Sequence, residues 1–503
     1  MSNQVINTGT TANDGTGDTE RGAWIKANAN FGDLYAAQGR LINPRIIFAG
    51  DSKSQLAGGD AADSFAFWAL GLAGVEYQYD SATDNCGVNG ALCNNTTTTA
   101  ANNGSGTATV LGFAHDTNVA VIVARVTARA AAGDNVVLWI QVGTNSLVDD
   151  TAHLASLRKV INACRTAGAK LFLVNDVPPI GTGASATTAA NIGSINSRLE
   201  DWCKTQTDVK VIKHYLATID PASTTGIPIG GTGGAAFATT KDGTHESYYG
   251  AYLEGKMMAP QIAALFRATP LRIGSKADVY QAYFGAGAYP TVGLAANLNK
   301  NPFSEGATGT DSLTKTGTAS VVGSVPDGME LAGSISGNVT VTLSQVANTY
   351  LNTLLGRTDL TCVRMTISGT PTANDAIELH EYQTGTTRYP VIQNTTPIRC
   401  RIIVEANALT GTQEFSVRMS GGQILRNSNA TVASNALPAL TERLILCSRD
   451  SSPVPTTASP VNYIAPPNLG VKTTLRNGIA CSGYIDLLYK DARFVQAVPA
   501  PLT

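Results

Sequence analysis

Two features of this 503-residue sequence can do chemistry together: a serine at the end of a short apolar run, and a histidine three residues after an aspartate. The serine is Ser52, within Pro44–Gln55 (PRIIFAGDSKSQ), where the run Ile46–Ala49 stops at Gly50-Asp51-Ser52. A sharp break of this kind can lift a hydroxyl off the end of a strand. A serine hydroxyl is a weak nucleophile until a base takes its proton, and the base works best when a third group orients it. Of the five histidines (His115, His153, His214, His245 and His380), His245 is the one that combines a carboxylate three residues earlier, Asp242, with a loop-to-helix junction. Asp242–His245 (DGTH) is short enough for one turn to supply both groups.

Attack on a carbonyl also needs donors aimed at the developing oxyanion. Gly90, in Gly87–Gly90 (GVNG), offers an amide that can approach closely, and Asn145, in Gly143–Asn145 (GTN), offers an uncharged side-chain donor. The amide of Ser52 is a third donor. Gly106, in NNGSGTAT, is a rival to Gly90, which is preferred because it directly follows the second apolar run. Plainer readings stand beside these. Asp-Gly and glycine clusters are turn signals, and Asn145 or His245 can cap or open a helix. Asn175 and Asp176 are expected to be structural or to support the site from behind. Lys53, directly after the serine, is expected to reach solvent.

The elements that must position these groups alternate from Pro44 to about Leu271. Apolar or β-branched runs (Ile46–Ala49, Val75–Tyr79, Val136–Val142, Leu171–Val174, Val209–Tyr215) take turns with helical stretches (Asp63–Leu72, Thr117–Ala132, Asp150–Ala167, Thr188–Thr205, Glu246–Ala268). This alternation predicts an α/β fold with a doubly wound, mostly parallel sheet covered on both faces. Ligands of such sheets bind outside the carboxyl ends of the strands. Every candidate residue falls on that predicted rim.

The alternation ends there. Gly285–Leu298 is a linker-like stretch rich in Gly, Ala and Pro. Beyond it lie period-two runs at Asn338–Leu343, Cys362–Ile367, Ile377–Tyr382, Arg399–Val404, Glu414–Met419 and Tyr484–Tyr489, separated by turn residues, as in an antiparallel β-sandwich. Residues 1–43 form a further unit, in which turn chemistry (Asn7–Asp18) precedes a helical stripe of Ala23, Trp24, Ala27, Phe31, Leu34 and Tyr35. A helix this short needs a partner for its apolar face. The expected division is therefore 1–43, 44–285 and 286–503.

Composition narrows the function. Charged residues make up only 14% and the net charge is −2, which leaves no electrostatic footprint for nucleic acid. There is no run of about eighteen apolar residues for a membrane span, and MSNQVINTGT lacks the basic-then-apolar order of a signal peptide. Eight scattered cysteines without a CxxC pair disfavour zinc and read as buried thiols of a chain folded in a reducing cytosol. Cys86 and Cys93 are spaced to close a small loop if the protein works outside the cell. No fixed-period repeat supports a long β-helix.

Two resemblances attach to these residues. NTGTTANDGTGDTERGAWIKANANFGDLY (Asn7–Tyr35) resembles the N-terminal segment of many bacteriophage tail fibre and tailspike proteins. The segments at Gly50–Ser52, Gly87–Gly90, Gly143–Asn145 and Asp242–His245, in this order, resemble the four blocks of the SGNH (GDSL-type) hydrolase family. That second resemblance implies a flavodoxin-like fold with Ser52 as nucleophile and His245 as base, oriented by Asp242. Its oxyanion hole would be formed by Ser52, Gly90 and Asn145, with no metal or organic cofactor. DNCGVNGAL fits the family's Asn-x-Gly-x-x-Gly shape. Lys53 stands where the family commonly has an apolar residue, and Ser146 where it often has Asp. The opening of the last region, from Asn301 onward, resembles jelly-roll modules that follow phage esterase domains.

Together these imply a virion esterase, synthesised in the host cytoplasm and acting outside the cell. Residues 1–43 would meet tail or baseplate proteins, and a homotrimer is expected. The target would be acetyl groups on bacterial surface polysaccharide, capsule or O-antigen, with the β-sandwich holding glycan or helping to assemble the spike.

Overall fold

Strand β1 (Arg45–Gly50) is buried along its whole length, and its side chains alternate between two separate apolar clusters. Ile46 and Phe48 point into one, Ile47 and Ala49 into the other, as expected of a strand covered on both faces. The computed structural model describes residues 40–266, 303–381, 398–419, 423–428, 436–447 and 469–494, apart from short stretches at 60–63, 76, 81, 102–106, 148–149, 232–234 and 236. The N-terminal segment expected to attach to a virion and the linker Gly285–Leu298 lie outside the described residues, as does Gly106.

After β1 come β2 (Asn85–Gly87), a hairpin of β3 (Thr97–Ala101) and β4 (Thr107–Leu111), then β5 (Val136–Gln141), β6 (Leu171–Asn175) and β7 (Val209–Ile212). The sheet order is β2-β1-β5-β6-β7, with every pairing parallel. The chain leaves β1 on one side to form β2 and returns on the other to form β5. A switch in strand order therefore falls beside β1, where crevices form outside the strand ends.

Helices Asp116–Ala131, Asp150–Thr166 and Ala186–Cys203 cover one face, with Ile122, Val126, Leu157, Val160 and Leu199 turned inward. Phe65–Leu72 and Tyr248–Leu265 cover the other. The Phe65–Leu72 helix (FAFWALGL) is apolar nearly all round and accordingly buried, and Ser64 caps it by accepting from Phe67 N at 3.1 Å.

Several expectations needed correction. Val75–Tyr79 is not a strand of the sheet: Gln78 makes only an isolated bridge to Arg45, and the edge strand is Asn85–Gly87. The aromatic run is apolar because its rings pack sideways, Tyr77 stacked on Phe67 at 5.6 Å and Tyr79 against Phe48 at 5.3 Å. The run Val209–Tyr215 stops as a strand at Ile212 and turns into a short helix, Tyr215–Thr218. Neither the Ser52–Gly59 helix nor the β3–β4 hairpin was expected.

The C-terminal part holds two packed sheets. One runs in the order Ser320–Val322, Thr340–Ala347, Thr361–Gly369, Cys481–Phe494, Ile398–Thr410 and Leu440–Cys447. The other runs Gln423–Ser428, Thr412–Met419, Gly470–Leu475, Ala376–Glu381, Met329–Ile335 and Thr310–Asp311, with Thr314–Lys315 also paired to Met329–Ile335. Val341, Met365 and Leu487 of the first sheet meet Leu331, Ile377 and Val471 of the second in one cluster, which continues to Phe48 and Trp68. The pairing is antiparallel except at three short edge strands, Thr310–Asp311, Thr314–Lys315 and Ser320–Val322. Among the described residues no helix is long and apolar enough to cross a membrane.

Candidate active site

Gly50 makes the turn after β1 possible. Its φ of +140° lies where side chains are disfavoured, and a Cβ there would sit 1.9 Å from the Gln141 carbonyl oxygen of β5. Asp51 follows as a fully buried carboxylate. It accepts from Lys53 N at 3.0 Å, Gly143 N at 3.2 Å and Thr144 Oγ1 at 2.7 Å, tying the turn after β1 to the loop after β5. Burial pushes the Asp51 pKa up against these hydrogen bonds. Ser52 then opens a helix, Ser52–Gly59.

The partner loop is built from residues 240–246. A bridge between Thr240 and Glu246 closes it, Lys241 N donates to His245 O at 2.8 Å, and Gly243 takes a φ of +88° at the tip. Asp242 Oδ1 accepts from the backbone of Thr244 (2.9 Å) and His245 (2.7 Å), so the aspartate folds the loop as well as facing the imidazole. DGTH does not open the last helix, as the sequence suggested. Ser247 caps that helix, accepting from Gly250 N at 3.0 Å.

The two segments meet. His245 Nδ1 lies 2.6 Å from Asp242 Oδ2, and His245 Nε2 lies 2.9 Å from Ser52 Oγ. An ionised carboxylate only accepts, so the imidazole proton belongs on Nδ1 and the bare Nε2 faces the serine hydroxyl. Partial burial works against ionisation of Asp242, but the hydrogen bonds from His245 and Thr244 hold its pKa below the ordinary carboxylate range. The other histidines are engaged elsewhere. His115 caps a helix, His153 is buried with its pKa pushed down to about 4, and His380 sits on a sandwich strand.

The proposed oxyanion donors border the same turn. Val88 N donates to Gly50 O at 3.0 Å, and a Cβ on Gly87 would meet the Gln55 amide at 2.3 Å, so the Gly87–Gly90 loop lies against the start of the serine's helix. Gly90 has a φ of +73°. Asn145 is exposed and does not cap a helix: its Nδ2 donates to Ala91 O at 3.2 Å, which ties its loop to the Gly90 loop. If the Asn145 amide serves the oxyanion, Asn145→Ala should lower kcat by about 10²–10³-fold with KM little changed, measured on a simple acyl ester.

Lys53 departs most from expectation. It is buried, and its Nζ donates to Glu246 Oε1. Burial alone would lower the Lys53 pKa, but the Glu246 carboxylate reverses this and holds the ammonium charged. Behind the pair lies His214, fully buried, with Nε2 3.1 Å from Gln141 Oε1 and 2.9 Å from Asp176 O. Its Nδ1 is at ion-pair distance, 3.1 Å, from Glu254 Oε2, although neither atom completes a hydrogen bond. Asp176 accepts from His214 N at 2.8 Å, and Asn175 Oδ1 accepts from Trp139 Nε1 at 2.7 Å, so both serve the framework.

Burial acts to lower the His214 pKa from its ordinary 6.5, but the Glu254 carboxylate, with Asp176 and Glu246, raises it to about 9. A group whose pKa is raised on folding stabilises the fold fully below its unfolded value, and that stabilisation is lost as pH rises through the folded value. The melting temperature should therefore fall between pH 7 and 10, and His214→Gln should flatten that slope in thermal melts.

Sequence reasoning did not find Asp51, Lys53, Glu246, Glu254 or His214 as parts of the site. The only signal available was adjacency: Lys53 follows Ser52, and Glu246 follows His245. Among the described residues no group of three or more His, Cys, Asp or Glu side chains is arranged to hold a metal ion. Cys86 and Cys93 are free thiols, and burial pushes the Cys86 thiol up to about 11.

No family model matches the sequence, and no curated protein matches it. Among solved structures, the chain is similar to a member of the lipolytic protein G-D-S-L family from Veillonella parvula. The identity is 15% and the TM-score 0.27, over 42% of this chain and 94% of that one. A protein of unknown function from Shewanella oneidensis is 13% identical, with a TM-score of 0.19 over 35% of this chain and 82% of that one. These scores are too low to carry an argument, so the chemistry rests on the site's own geometry.

Proposed function

We propose that the chain is a serine ester hydrolase with Ser52 as nucleophile, His245 as base and Asp242 as its orienter. One observation carries this reading: the continuous Asp242–His245–Ser52 hydrogen-bond chain at the carboxyl end of β1. In the reaction, Ser52 Oγ attacks the ester carbonyl and passes its proton to His245 Nε2. The oxyanion rests on the amides of Ser52 and Gly90 and on the Asn145 side chain. His245 then protonates the leaving alcohol. Water, activated by the same imidazole, hydrolyses the acyl-enzyme. Asp242 keeps the imidazole in the right tautomer and stabilises its charged form.

The substrate proposed is an acetyl ester on bacterial surface polysaccharide, capsule or O-antigen, and the setting proposed is a phage tail, as a homotrimer attached through residues 1–43. This part rests on the resemblance of Asn7–Tyr35 to tail-protein N-terminal segments. The test has two arms. NMR of capsule or O-antigen before and after treatment should show acetate released by the native chain and none by Ser52→Ala. Equal release by both would leave a receptor-binding or structural protein with an idle hydrolase fold. Short-chain p-nitrophenyl esters should be preferred over long-chain ones. The opposite preference would point to a lipase or thioesterase and sink the deacetylase assignment.

A further inference from the structure

Two rungs join the segment after β1 to the loop before the Tyr248–Leu265 helix. The first is Ser52 Oγ to His245 Nε2. The second is one residue further along in both segments, where Lys53 Nζ donates to Glu246 Oε1. Both span 193 residues of sequence. They differ in surroundings: the His245 side chain is 24% exposed, whereas those of Lys53 and Glu246 are 1% and 3% exposed.

Each end of the second rung is anchored to the machinery it adjoins. Lys53 N is held by Asp51, which also grips Gly143 and Thr144. Glu246 forms the bridge to Thr240 that closes the loop carrying Asp242 and His245. Further ties of that loop run to the segment after β6, through Gly181 N to Gly243 O (2.6 Å) and Thr182 Oγ1 to Asp242 O (3.2 Å), and to Gly231, whose carbonyl accepts from Thr240 Oγ1 at 3.2 Å. β1 itself pairs only with β2 and β5 among the described strands.

The first rung cannot persist through a catalytic cycle. In acylation the Ser52 proton moves to His245 and on to the leaving alcohol, and the Oγ becomes an ester oxygen with no proton to donate. In deacylation a water molecule gives its proton to His245, its oxygen bonds to the acyl carbon, and the proton returns to Ser52 Oγ as the acid leaves. During the acyl-enzyme stage the imidazole must stay near a serine to which it is no longer bonded. A buried ion pair adds little stability over an apolar pair of similar volume, but it fixes direction.

We infer that Lys53 and Glu246 are positioning residues for deacylation: their buried pair holds the His245 loop against the Ser52 turn while the Ser52–His245 hydrogen bond is absent. This rests on the hydrolase reading above.

The test uses the full chain and p-nitrophenyl acetate, with steady-state kinetics, pre-steady-state bursts and thermal melts on Lys53→Met, Lys53→Met/Glu246→Leu and Glu246→Gln. Lys53→Met alone should melt lower, because it strands Glu246 without its partner. The double variant should regain most of that melting temperature. Its kcat should nevertheless fall by about tenfold, with kcat/KM held within about threefold and a p-nitrophenol burst approaching one per chain, as expected when only the second step loses its geometry. Glu246→Gln keeps the size and an oxygen for Lys53, and should show the same split more weakly, so the inference stays testable if the double variant fails to fold. Parent-like kcat without a burst in the variants would overturn it, as would equal losses in kcat and kcat/KM. If the native chain and Ser52→Ala are equally inactive, the hydrolase reading fails first and this inference with it.

Discussion

Ser52→Ala should lower kcat by about four to six orders of magnitude while leaving the melting temperature nearly unchanged. The hydroxyl faces His245 Nε2, so its removal deletes the nucleophile without stranding a buried charge. His245→Ala should cost about as much, and the two together little more, because nucleophile and base act as a unit. Asp242→Asn is the sharper experiment. An amide presents NH₂ as readily as oxygen to Nδ1, which favours the tautomer carrying its proton on Nε2, facing the serine. With shape retained, the loss should be about 10⁴-fold in kcat, the size seen where such an aspartate fixes the tautomer. Hydrolysis of p-nitrophenyl acetate alongside circular-dichroism melts would measure both quantities. Activity surviving in Ser52→Ala would remove the mechanism altogether.

The legible parts of this chain are those whose signal is local. β1, β5 and β6 are short apolar runs because parallel strands bury both faces, and their positions in the sequence match the structure closely. Asp242 and His245 were legible for a related reason: three residues and a glycine suffice for one loop to present both. Asn85–Gly87 was not, since a three-residue polar strand carries no periodicity. Lys53 was misread because a charge beside a turn resembles a solvated one until its partner is known, and Glu246 is 193 residues away. The same limit applies to the sandwich. The run at Tyr484–Tyr489 is visible as a strand, but nothing local says that it extends over Cys481–Phe494 or lies between Thr361–Gly369 and Ile398–Thr410.

Gly50→Ala should destabilise the fold by about 2–6 kcal/mol, adding the strain of a disfavoured backbone region to the cost of overpacking. The φ of +140° accounts for part of this, and the rest comes from what the methyl would strike. The Gln141 carbonyl, 1.9 Å from the ideal Cβ, is backbone and cannot rotate aside. It also accepts from Asp51 N and Ser54 Oγ, both at 3.0 Å, so moving it would loosen the two contacts that seat the serine's turn on β5. Gly133→Ala is the matched control. It too has a positive φ, +84°, but a Cβ there meets nothing within 4 Å, so only the conformational term of about 1–2 kcal/mol applies. Denaturant melts of the two variants should therefore differ severalfold in ΔΔG, and whatever Gly50→Ala protein remains folded should also lose kcat. Equal effects would mean that β1 and β5 do not approach this closely at their carboxyl ends, and Ser52 would then lack the rigid turn that aims it at His245.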